Sequence, residues 1–383
     1  MFVFDGPAFP RRLACAVLVA VCANALAQAP SQAEKLNMEL VGHHDLQGRS
    51  AYQPVVHAQG GRWIAYIGLH GGTQLNTLTR QNEASGTAIL DVSDPKQPRL
   101  LAHIPGSPGG GAQMVRVCNG SELPRADKNK VYLLRPYGNS AQEVWDVTDP
   151  AAPRLVSKVA AGLQGTHKNW WDYGTSSYGI LQIVDRKKLL QGPKEPTTEN
   201  LLYPQVGRLD LGPDAGAHTA FPLLGMGGAG EKSRDYVVVT AESLADACRE
   251  PRQKAWFVDV GDEVRPRIAA NWTVDEASGN FCARSGRFGT HSSNESFAPV
   301  YYRRVVFFAH FNAGVRAVDV RDPLHPREAA YYVPESNANA GGAILTNNVE
   351  VDDRGYVYIT DRAGNGLHIL ELTGPARAIA AFK

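Results

Sequence analysis

One phrase occurs four times in this chain, and it limits the fold more than any other feature. The copies are Ile89-Leu-Asp-Val-Ser-Asp-Pro-Lys-Gln-Pro-Arg99, Val144-Trp-Asp-Val-Thr-Asp-Pro-Ala-Ala-Pro-Arg154, Phe257-Val-Asp-Val-Gly-Asp-Glu-Val-Arg-Pro-Arg267 and Ala317-Val-Asp-Val-Arg-Asp-Pro-Leu-His-Pro-Arg327. Their leading aspartates, Asp91, Asp146, Asp259 and Asp319, lie 55, 113 and 60 residues apart, so the middle interval spans two periods. Repeats of this length build propellers or solenoids. Each copy runs from an apolar β-branched stretch into an aspartate-led tight turn, then through a Pro-Arg pair into another apolar stretch. That order is strand, turn, strand. The phrase therefore predicts the outer hairpin of a propeller blade, and the chain an all-β fold.

The blades follow from the phrase. The first is expected over 52–104, the second over 113–160, the third over 166–215, the fourth over 218–274 and the fifth over 290–333. The sixth begins at Asn347 and ends at Leu372, and Met38 to His44 is expected to supply its missing outer strand. Such pairing closes the ring through both ends of the chain and removes an exposed edge. A single propeller of six blades over 38–383 results, with seven left open by the long third unit, whose copy of the phrase is degenerate around Val206 to Asp214. With 38 Gly and 24 Pro among 383 residues, the composition suits many short strands joined by tight turns.

The first 27 residues have the layout of a signal peptide. Arg11-Arg12 precede the apolar stretch Leu13 to Ala23, and Ala25-Leu26-Ala27 offers a small-residue cleavage site. Residues 28–37 then form a short linker. A periplasmic or secreted protein is expected, by the general or the twin-arginine route, with no transmembrane segment after cleavage. Three cysteines remain, of which Cys248 and Cys282 flank one predicted hairpin and are expected to pair, leaving Cys118 as a small buried hydrophobe. A net charge of +1 gives no footprint for nucleic acid.

The repeated Val-Asp-Val-x-Asp-Pro-x-x-Pro phrase resembles that of the bacterial LVIVD-repeat propeller proteins over nearly the whole mature chain. The resemblance implies an exported propeller and says little about chemistry. More distantly the arrangement is similar to the selenium-binding protein and methanethiol oxidase group, which implies histidine-bound copper, although that group's cysteine-rich motifs are absent.

The residues suited to chemistry sit at the blade starts. Gly165-Thr-His167, Gly216-Ala-His218 and Gly289-Thr-His291 place a histidine at the same point of three blades, where inner strands line the channel. Three converging imidazoles suit a transition metal: copper, zinc or iron. Loops after the second strands open on the same face and bring Glu242, Asp361, Arg135 and Arg362 as candidates for proton transfer and anion binding. His43, His44, His70 and His310 are further candidates on that face, and Trp170 and Trp171 offer a stacking wall. His57, His103, His325 and His368 read as structural. Two functions fit: a metal-dependent oxidoreductase or lyase acting on a small organic molecule, or a non-catalytic scaffold that binds protein or carbohydrate.

Overall fold

A computed structural model describes residues 32–164, 179–195, 197–212, 214–227 and 233–382. The chain is a β-propeller whose described strands group into six blades in chain order, the fifth and sixth joined into one nine-stranded sheet where Phe311 pairs with Thr346. The first sheet contains Ala51–Gln59, Arg62–Leu69, Thr87–Asp91 and Arg99–Ile104, and the second contains Arg116–Asn119, Val131–Tyr137, Ala141–Asp146 and Arg154–Ala160. Among the described residues the third sheet is the hairpin of Ile180–Val184 and Gln205–Asp210. The fourth runs Ala217–Met226, Arg234–Ala241, Ala255–Asp259, Arg267–Trp272, and the fifth Phe288–Ser293, Val305–Phe311, Val315–Asp319, Arg327–Val333. In the sixth, Thr346–Val351, Tyr356–Asp361 and Leu367–Leu372 are completed by Met38–His44, which pairs antiparallel with the last strand from Met38 opposite Leu372 to His44 opposite Leu367.

The repeated phrase is the turn between the third and fourth strands of its blade, and its aspartates explain why it recurs. In all four copies the first aspartate accepts the backbone N–H two residues on: Asp91 from Ser93 at 3.0 Å, Asp146 from Thr148 at 3.0 Å, Asp259 from Gly261 at 2.9 Å and Asp319 from Arg321 at 3.1 Å. The second aspartate does the same, Asp94 from Lys96, Asp149 from Ala151, Asp262 from Val264 and Asp322 from Leu324. Two consecutive side-chain-capped turns thus satisfy backbone donors that the hairpin leaves over.

Alternation along the strands buries apolar sets in seams between neighbouring blades. Ile64, Tyr66 and Ile104 meet Val115 and Leu133 between blades one and two, and Phe221, Phe257 and Trp272 meet Phe308 between blades four and five. Phe307, Val315 and Val349 fill the seam of blades five and six, and Leu90 and Ile369 that of six and one. Gly42 is required by close approach: the closing strand passes over the blade-one turn, where a Cβ would collide with the Pro95 carbonyl oxygen.

Residues 28–37 are not simply a linker. Glu34–Leu36 adds a fifth strand to blade five, pairing with Arg327–Val333. That edge would otherwise present open backbone groups to solvent. A disulfide joins Cys248 to Cys282, and Cys118 is a buried free thiol pushed up to about 11 by burial and the nearby Glu122 carboxylate. No helix among the described residues is long and apolar enough to cross a membrane. The expected signal peptide lies outside the described residues.

Candidate metal centre at the channel mouth

His218, Glu242 and His291 meet at one end of the channel, and each is brought there by strand geometry. His218 is the second residue of the inner strand of blade four, and Glu242 directly follows that blade's second strand. The backbone N–H of Glu242 donates to the Gly216 carbonyl at 2.8 Å, which holds the carboxylate over His218. One residue on, Ser243 donates to the Thr290 carbonyl of blade five at 2.9 Å, so the neighbouring inner strand brings His291 to the same carboxylate. His218 Nε2 lies 3.7 Å from Glu242 Oε2, His291 Nε2 lies 3.6 Å from Glu242 Oε1, and the two imidazole centroids are 4.2 Å apart. One ligand atom from each residue falls within 4.8 Å of the others.

The hydrogen bonds around the cluster set the tautomer of His291 and hold both ring nitrogens of His218. His291 Nδ1 faces the backbone carbonyl of Asn347, which can only accept, so the proton sits on Nδ1 and Nε2 presents a lone pair. Tyr52, from the inner strand of blade one, places its hydroxyl 3.1 Å from His218 Nε2. Burial, then Glu242 and Glu295, push the Tyr52 phenol well above its ordinary range, so it stays protonated; His218 Nδ1 lies 3.1 Å from Thr219 Oγ1. His291 Nε2 therefore presents an electron pair on the carboxylate side, and His218 Nε2, on the same side, is shared with the Tyr52 hydroxyl. Outer partners that fix the far ring nitrogen are a regular feature of metal-binding histidines.

These residues fit a transition metal. Ligand atoms about 2.1 Å from a tetrahedral ion are about 3.4 Å apart; here His218 and His291 each lie near that distance from one Glu242 oxygen, Oε2 and Oε1, and one ligand atom from each residue falls within 4.8 Å of the others. Two imidazoles and a carboxylate leave coordination positions open. Glu242, expected as a proton-transfer group, thus stands where a third ligand would be. It is also paired with Arg287, whose Nη1 lies 3.3 Å from Oε1. His167, the expected third histidine, lies outside the described residues, as do Trp170 and Trp171.

A second belt of polar residues lines the channel next to this centre. Asn348 donates to Gln53 Oε1 at 2.8 Å, Gln53 donates to Glu295 at 3.3 Å, and Arg116 is ion-paired with Glu295. Glu350, fully buried beside Glu295 and bonded to the Ser296 backbone at 3.0 Å, is pushed up to about 7 chiefly by burial.

Several expected members of the face are elsewhere. Arg135 is buried between blades one and two, where it pairs with Glu143 at 3.0 Å and donates to the carbonyls of Ile104 and Pro105; it anchors the seam and has no free face for a substrate. Asp361 accepts from the backbone of Leu345 at 2.7 Å and Ala363 at 2.8 Å, so it caps a turn, although burial raises it to about 6. His310 points into the seam of blades four and five, 4.9 Å from the Phe288 ring and 6.3 Å from that of Trp272. His43 and His44 lie on the outermost strand of blade six, where His43 bonds the Asn365 carbonyl and His44 the Leu46 N–H. A residue on an outer strand is far from the axis even when its loop opens on the right face. His70 reaches the site indirectly, bonded to Ser50 at 3.1 Å with its ring 5.0 Å from that of Tyr52.

Tyr52, Arg287, Glu295 and Glu350 were not singled out from sequence. Tyr52 adjoins Gln53 at the blade-one position equivalent to the blade-start histidines, and that register was the available signal. Arg287 had none, because only the fold shows that it faces Glu242.

No protein-family model matches the chain, and no curated protein is recognisably similar in sequence. Distant structural similarity extends to Sqt1 from Chaetomium thermophilum, at 12% identity over 85% of each chain with a TM-score of 0.41. An α-L-arabinofuranosidase from Clostridium thermocellum is similar at 11% identity over 81% of this chain and 80% of that one, TM-score 0.33. A structure described under the GH130 family of mannoside phosphorylases is similar at 8% identity over 86% and 88%, TM-score 0.32. At these scores the similarities transfer no chemistry.

Proposed function

We propose that the channel mouth is the active site of a metal-dependent enzyme, an oxidoreductase or lyase acting on a small organic molecule, with His218, His291 and Glu242 holding copper, zinc or iron. The observation that supports this is the convergence of three ligand-competent side chains from two adjacent blades within 4.8 Å, with the far nitrogen of each imidazole already fixed. The metal would supply Lewis-acid or redox chemistry at this mouth. Around it, Arg287 balances the Glu242 charge, and the protonated Tyr52 phenol is placed to donate a proton beside His218. The proposal includes export to the periplasm or beyond, and a place among the LVIVD-repeat propellers, on the strength of the N-terminal signal layout and the repeated phrase.

The test is metal content by mass spectrometry on mature protein purified without tag or chelator. About one equivalent of a single transition metal is expected, and His218→Ala should lose it while circular dichroism shows an intact fold. A folded wild-type protein that takes up no copper, zinc or iron would overturn the enzyme and favour the scaffold that binds protein or carbohydrate.

A further inference from the structure

Around His218 and His291, among the described residues, the Glu242 carboxylate is accompanied by two arginines, Arg287 and Arg362. Arg287 reaches Glu242 Oε1 and the Ser243 carbonyl, each at 3.3 Å, and lies 5.5 Å from the centre of the Phe311 ring. Arg362 follows the second strand of blade six, and its backbone is pinned on both sides: its N–H donates to the Leu345 carbonyl at 2.8 Å, and its carbonyl accepts from Ser50 Oγ at 2.7 Å. Its position is therefore set by blades six and one together. Its guanidinium, among the described residues, is in no hydrogen bond or ion pair, although it is half-buried and shares the field of Arg287, Glu242 and Tyr52.

A half-buried arginine held this way is costly unless something pairs with it. Glu242 is already shared by Arg287, His218 and His291. Among the described residues Arg287 and Arg362 outnumber the Glu242 carboxylate by one charge before any metal is counted, and a divalent ion would add to the excess. Neutral sugars would leave that charge unbalanced. A planar carboxylate matches the guanidinium fork with two parallel hydrogen bonds.

We infer that the substrate of this site is a small organic acid whose carboxylate is held by Arg362, with Arg287 beside it, next to the His218–Glu242–His291 cluster. The inference rests on the proposed active site for its chemistry but not for its anion binding, which the metal-free protein should already show.

The experiment is calorimetric titration of the full protein, metal-free and zinc-loaded, at low salt with malonate, acetate, phosphate and glucose. Malonate and acetate should bind and glucose should not. Arg362→Gln should weaken malonate at least tenfold without changing metal content, and Arg362→Lys should restore part of the loss, which a merely structural role would not give. Malonate binding that is absent, or indifferent to both variants, overturns the inference. Phosphate binding far above the carboxylates with the same Arg362 dependence overturns the carboxylate assignment in favour of a phosphoryl ligand. Malonate binding without any metal uptake would leave this inference standing and sink the metal enzyme; metal uptake without malonate binding would do the reverse.

Discussion

Blade five carries two histidines on adjacent strands, His291 and His310, both fully buried. His291 sits on the inner strand, bonded at Nδ1 to Asn347, with its other nitrogen directed at a carboxylate on the next blade. His310 sits on the second strand among aromatic rings, and among the described residues neither of its nitrogens has a hydrogen-bond partner. Burial and the nearby Arg316 charge hold it well below the ordinary histidine range, so it is neutral. Equal burial, then, does not mean equal role. A strand close to the axis turns a histidine toward groups from several blades, whereas one strand further out the same residue type faces the apolar packing of one seam.

That contrast has measurable consequences. The largest concerns His291→Ala, which should abolish metal retention with little loss of fold, while His310→Ala should leave metal content unchanged and destabilise by about 3 kcal/mol through the cavity it opens. Metal analysis and urea denaturation of both variants read the two effects, and matching behaviour would erase the distinction. The channel's buried acid comes next. Glu350 is held up to about 7, so the folded state keeps a proton that the unfolded chain releases near pH 4.5, and stability falls as pH rises from 4.5 through 7. Glu350→Gln should therefore gain on the order of 2 kcal/mol at pH 8 and nothing at pH 4; equal denaturation midpoints at both values would refute it. The smallest effect is that of His310→Leu. Its folded value is depressed, so its contribution is present above pH 6.5 and lost as the pH falls below it. Removing the two unmatched ring nitrogens should stabilise by about 1 kcal/mol at pH 7 and by more in acid. A loss of stability at pH 5 would show that His310 has a polar task in the seam.

Much of the fold was legible because the phrase encodes it locally. Asp91, Asp146, Asp259 and Asp319 do the same work within two residues of themselves, so a reader of the chain sees the turn itself. The blade-start histidines were legible for a related reason: the repeat fixes which residues begin inner strands, and two of the three lie together in the described structure. What failed was radial position. His43 and His44 are expected on the closing strand and Arg135 at the end of a second strand, as they are, but whether a side chain turns toward the axis, a seam or the rim depends on pairing with another blade. Arg287 and Arg362 gain their meaning from Glu242 and Ser50, which belong to other blades, and no local pattern announces such partners.

The strand Met38–His44 has a consequence for the order in which the molecule assembles. Among the described residues it pairs with Leu367–Leu372, more than three hundred residues further along the chain. Everything from residue 45 to residue 366 is the loop that this pairing closes, at an entropic cost of about 5 kcal/mol for a flexible chain. Earlier blades can form from neighbours in sequence, but the ring stays open, and blade six without its outer strand, until Leu367–Leu372 is in place.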